Sequence, residues 1–197
     1  MTSLGRSLER SRTAQLAEIV CVFASAAVII AVGWKLVGDS QLARQGVAWV
    51  ANVVMLALVW IGLRVRGQDW KHFGLNVRYL GLRALGKTVL QSLLVLAATI
   101  VAFLVASILM TNLAGQPESA DMSGYNYLQG NLPMLLLALA GVYIVSSFGE
   151  EVIFRGFLIN RLAEFGHGGK NAWRIAALIS SVIFGLAHFA WGTVGIV

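Results

Sequence analysis

Two short stretches carry the residue types that could do chemistry. The first, FGEEVIFRGFLINRL, holds Glu150, Glu151 and Arg155; the second, AALISSVIFGLAHFAW, holds Phe184 and His188. At helical spacing Glu151 and Arg155 share a face and can pair. Glu150 lies about 100° around the same helix from Glu151, so it shares that arginine less easily and is left for other work. Ionisable groups at membrane depth cost several kcal/mol and usually face a cavity or a partner. A partly desolvated carboxylate is suited to act as a general base. Taken singly, the acids and the arginine read as an interfacial ion-pair cluster, and the histidine reads as a packing residue. Taken together they suggest a site. If the chain turns at Gly166–Lys170, Glu150 lies roughly 22 Å before the turn and His188 roughly 27 Å after it, within about one helical turn of the same level. A short connection packs such helices antiparallel, so a carboxylate and an imidazole face each other across a hairpin.

The elements that must hold these residues are membrane helices. The 197 residues are 58% hydrophobic and 12% charged, whereas soluble domains average about 45–50% and about 25%. Apolar runs cover Leu16 to Val37, Val47 to Leu63 and Val89 to Met110, a fourth opens at Leu132, and a fifth runs from Ala176 to the terminus. Each is long enough, or nearly so, for a bilayer core that needs roughly 20 helical residues, and lipid leaves only the helix to satisfy the backbone of a lone segment. The fold class is therefore an all-α membrane protein, a polytopic bundle of about five transmembrane helices. The first run is longer than the apolar core of a signal peptide and no clear cleavage site follows it, so it is read as a retained helix. Asn131 can cap the fourth helix and Pro133 suits its first turn; the pattern continues to Phe165, where Gly166-His167-Gly168-Gly169 stops it.

Charge sets the expected orientation. Of fifteen Lys and Arg, only Lys35 and Arg44 fall outside the segments that are cytoplasmic if the N-terminus is inside, which supports that topology. The net charge of +6 flanks the apolar runs and does not indicate nucleic-acid binding. Glu18 and Lys35, near opposite ends of the first helix, are expected to snorkel to the two interfaces. His167 is expected to be a solvated turn residue, and His72 has Asp69 as its acidic neighbour. The single cysteine, Cys21, allows no internal disulfide and no Cys-based metal site. One membrane domain is expected over residues 1–197, with a basic N-terminus at 1–13 and the chemistry-bearing helices at 132–197. The segment 67–85 mixes Trp70, Phe73 and Tyr79 with Lys71, Arg78 and Arg83. It reads either as lying on anionic lipid or as a basic loop that fixes topology.

Glu150-Glu151-Val152-Ile153-Phe154-Arg155, continued by Gly156-Phe157-Leu158, resembles the Glu-Glu-x-x-x-Arg motif of the CAAX protease and bacteriocin-processing family, also known as the Abi family. Phe184-Gly185-Leu186-Ala187-His188 is similar to that family's second motif, Phe-x-x-x-His, and Asp69 to Leu75 is similar to a short segment of many bacterial members. The resemblance covers Leu132 to the end. It implies an intramembrane endopeptidase of the cell membrane, acting on a membrane-associated substrate such as a prenylated C-terminus or a bacteriocin leader. It also implies catalytic-site roles for Glu150, Glu151, Arg155 and His188. Zinc needs at least three protein ligands, and one Glu with one His are too few, so glutamate-activated water without a cofactor is favoured over a variant assisted by a divalent metal such as zinc. The family's third motif, His-x-x-x-Asn, would supply oxyanion contacts; no His follows His188, so the chain is expected to be C-terminally truncated. The alternative is a non-catalytic scaffold or immunity protein of the same fold. A proton-relay transporter fits less well, because no inverted repeat is visible.

Overall fold

The computed structural model describes residues 3–75, 81–115 and 123–188. Helix α1 covers Ser3–Arg10, α2 Arg12–Val37, α3 Gln41–Arg66 and α4 Leu82–Ala114. Helix α5 is continuous over Leu132–Phe165, and α6 covers Lys170–Ala187. Short 3-10 turns occupy Trp70–Phe73 and Ser123–Leu128. Among the described residues, α2, α3, α4 and α5 are long and apolar enough to cross a membrane. The protein is a multi-pass helical membrane protein. The C-terminal part of the fifth expected run, residues 189–197, lies outside the described residues, as does 76–80 within the segment expected at the interface.

The helices outrun their apolar cores because polar residues cap them. Ser11 Oγ accepts from Ala14 N at 3.4 Å and starts α2; Ser40 Oγ accepts from Ala43 N at 3.4 Å and starts α3. Each satisfies a backbone donor that the first helical turn leaves unpaired. At the other end of α3, Gly67 adopts the left-handed conformation at φ 72° and returns its N–H to the carbonyls of Arg64 and Leu63.

The chain divides into two compact units, Met1–Leu75 with Asp121–Ser181, and Asn76–Ala120 with Val182–Val197. In the first, α2 and α3 form an antiparallel hairpin. Ile19, Val22 and Ala26 on one helix and Ala51, Met55, Val59 and Leu63 on the other are buried at three- and four-residue spacing. Gly33 lets the two backbones approach, since a Cβ there would stand 2.5 Å from Val47 Cγ1. Phe23 of α2 meets Phe154 of α5 edge-on, with ring centroids 5.5 Å apart. In the second unit, α4 exposes its apolar side chains along its length, as a lipid-facing helix does. Its polar side chains bond back to their own helix: Thr88 Oγ1 to Ala84 O at 3.0 Å, Thr99 Oγ1 to Val95 O at 2.9 Å, and Asn112 Nδ2 to Ile108 O at 2.7 Å.

Candidate active site

Helix α5 carries the two adjacent acids. Asn131 Oδ1 accepts from Met134 N at 3.2 Å and Pro133 sits in the first turn. Midway the helix widens into π turns over Val142–Phe148 and again over Glu151–Leu158. Such i→i+5 turns are rare, and where they occur they often mark functional sites. Gly149 and Glu150 keep α-helical dihedrals between the two widened stretches. Gly149 is buried against α3, where a Cβ would stand 3.4 Å from Leu56 Cδ1. Beyond it the helix is two-faced. Val152, Ile153, Phe154, Phe157 and Leu158 are buried, while Glu151 and Arg155 emerge together and pair at 3.0 Å. Glu150 is half-buried, on a different face from that pair.

Helix α6 is fastened to the same stretch by a buried hydrogen bond. The widened turn leaves Phe154 O accepting from Ile159 N, and Ser180 Oγ donates to the same oxygen at 2.9 Å. Ser180→Ala is expected to lower stability by about 0.6–2 kcal/mol, the range of interhelical hydrogen bonds in membranes. A denaturation midpoint in micelles unchanged from wild type would show that the bond contributes nothing. Just past the end of α6, His188 Nδ1 lies 2.8 Å from Phe184 O, and the two rings are tilted at 40° with centroids 4.4 Å apart. A carbonyl only accepts, so Nδ1 is the donor in that contact. Glu150 belongs to the first unit and His188 to the second.

The sequence reading missed a buried charge cluster at the far end of α5. Glu18 does not snorkel. Its Oε2 lies 2.5 Å from Arg66 Nη2 and 3.5 Å from Arg161 Nε. Glu164 receives Arg161 Nη1 at 2.9 Å and Arg66 Nη1 at 3.3 Å. His72 Nε2 joins Glu164 at 3.2 Å, so its acidic partner comes from α5. His167 is exposed in the turn after α5, as expected, where it holds φ at +67° and meets Arg12 in a close side-chain contact. The cluster is not fully satisfied: Glu18 Oε1 and the Nε atoms of Arg66 and Arg161 have no hydrogen-bond partner among the described residues.

Residues 132–197 match the family described as Type II CAAX prenyl endopeptidase Rce1-like. That segment, about a third of the chain, is similar to the CAAX protease and bacteriocin-processing family. No curated protein and no solved structure matched the chain.

Proposed function

We propose that this protein is an intramembrane endopeptidase that hydrolyses a peptide bond in a membrane-associated substrate, with Glu150 and His188 activating the water. The observation that carries the reading is the order of the two motifs, Glu150 to Arg155 and then Phe184 to His188, inside the matched segment 132–197. In this mechanism Glu150 takes a proton from water as the oxygen attacks the scissile carbonyl carbon. The C–N bond then breaks, and the proton passes to the departing amine. His188, whose Nδ1 lies 2.8 Å from the Phe184 carbonyl, is given its role by its place in the Phe-x-x-x-His motif. Arg155 pairs with Glu151 at 3.0 Å, and this reading gives the role of base to Glu150. A zinc site would need a third protein ligand, which favours water activated directly by the carboxylate.

The substrate class is a prenylated C-terminus or a comparable lipid-anchored peptide, reached from the cytoplasmic side if the basic segments lie there. The test is the full chain in liposomes with a prenylated CAAX peptide. Wild type is expected to release the C-terminal peptide, and His188→Ala to do so about 10²–10⁴-fold more slowly. Equal rates for the two, with both proteins folded, would end the reading.

A further inference from the structure

Gly156 directly follows the arginine of the acid motif, and the first unit contains a physical reason for its lack of a side chain. Phe73, from the 3-10 turn Trp70–Phe73, stands over it: a Cβ on Gly156 would lie 3.3 Å from Phe73 Cβ and 3.5 Å from Cγ. The same ring meets Phe157 edge-on at 6.3 Å and 77°, and the Arg161 guanidinium lies over it at 5.4 Å. Neighbouring residues grip the helix further along, with Gln68 Oε1 accepting from Arg161 Nη2 at 2.9 Å and His72 Nε2 lying 3.2 Å from Glu164 Oε1.

The turn is also closed on itself. Asp69 Oδ1 accepts from Lys71 N at 3.0 Å. Gly74, at φ +80°, donates to Lys71 O at 3.0 Å, and Leu75 N donates to Trp70 O at 3.2 Å. Trp70 and Phe73 pack ring edge to ring face at 6.4 Å. A loop that only linked α3 to α4 would need neither the internal closure nor an aromatic ring seated on a bare glycine of the motif helix.

We infer that the Asp69–Gly74 turn is a positioning element for the acid motif, with Phe73 as the residue that fixes the rotation and depth of α5 at Glu150 and Glu151. This rests on the proposed protease reading only for its activity readout. Phe73 acts through Gly156 and touches no reacting atom. Displacements of about 1 Å in a catalytic group far from a mutation can cost up to 10²-fold in rate.

The experiment uses the full chain in liposomes and compares wild type, Phe73→Ala, Phe73→Leu, Gly156→Val and the double variant Gly156→Val/Phe73→Ala. Two readouts are taken: cleavage of a prenylated CAAX peptide, and hydrogen–deuterium exchange by segment. Phe73→Ala is expected to lower kcat about tenfold with KM little changed, and to speed exchange over residues 149–155 while leaving α2 as in wild type. Phe73→Leu should recover part of both, and the double variant should be faster than Gly156→Val alone, because removing the ring makes room for the new side chain. Unchanged exchange over 149–155 with unchanged kcat would overturn the assignment. So would exchange raised evenly over α2, α3 and α5, which would make Phe73 a general packing residue; if Phe73→Ala does not fold, Phe73→Leu is judged by the same two readouts. A wild type that cleaves nothing defeats the protease reading, while the exchange comparison still decides the positioning role.

Discussion

Replacing Arg161 by Met is expected to lower the unfolding free energy by about 3–5 kcal/mol, measured as a shift in SDS denaturation of the purified protein in micelles. Its side chain is 0% exposed and touches Glu18 at 3.5 Å and Glu164 at 2.9 Å. Gln68 accepts a further bond at 2.9 Å, and the rings of Phe73 and Phe157 lie 5.4 and 5.8 Å from its guanidinium carbon. Two carboxylates and two guanidiniums balance in the cluster. Methionine fills much of the volume but leaves two acids against Arg66 alone, and an uncompensated buried charge costs more than the intact pair contributes. Arg161→Lys keeps the charge but loses the planar fork that reaches two oxygens while stacking on rings, so it should fall between wild type and Met. Asp39→Asn breaks the surface pair of the fully exposed Asp39 with Arg44 at 2.7 Å and should leave the midpoint unmoved. A Met variant as stable as Asp39→Asn would show that the cluster contributes nothing to holding α2, α3 and α5 together.

The contrast between that cluster and the acid motif shows what a sequence can and cannot reveal here. The course of α5 from Leu132 to Phe165, its Asn131 cap and the stop at Gly166 were legible, because caps and breakers act within a few residues of themselves. The Glu151–Arg155 pair was legible for the same reason, being a four-residue spacing on one helix. Glu18, Arg66, Arg161 and Glu164 come from three helices, and each alone looks like a flanking charge that fixes topology. Only the meeting of α2, α3 and α5 at one level turns them into a network, and nothing local encodes that level. The Asp69–Gly74 turn was visible as an aromatic, basic segment, but both sequence readings placed it against lipid or in a loop. Its seat on Gly156 depends on tertiary contact. The π turns of α5 left no periodicity to find, because an apolar stretch such as Val142 to Phe148 reads alike at either pitch. The Glu150–His188 pairing rests on motifs and helix length, since the two residues belong to different units.

Glu150→Gln is expected to lower kcat for a prenylated peptide by about 10²–10⁴-fold with KM nearly constant. The amide matches the carboxylate in shape but cannot take a proton, so substrate binding survives while the proton transfer is lost. Glu151→Gln removes the 3.0 Å charge pair with Arg155 on the neighbouring face of the helix. It should slow the reaction by about tenfold, a size set by misplacement and not by loss of the base. Each variant replaces one carboxylate oxygen by an amide nitrogen in the same helix, on a different face, so their ranking isolates geometry from composition. Measuring kcat and KM for both, with circular dichroism to confirm equal helix content, decides between the acids. If Glu151→Gln proved the more damaging, the base would be the arginine-paired carboxylate, and the division of labour proposed for this helix would be reversed.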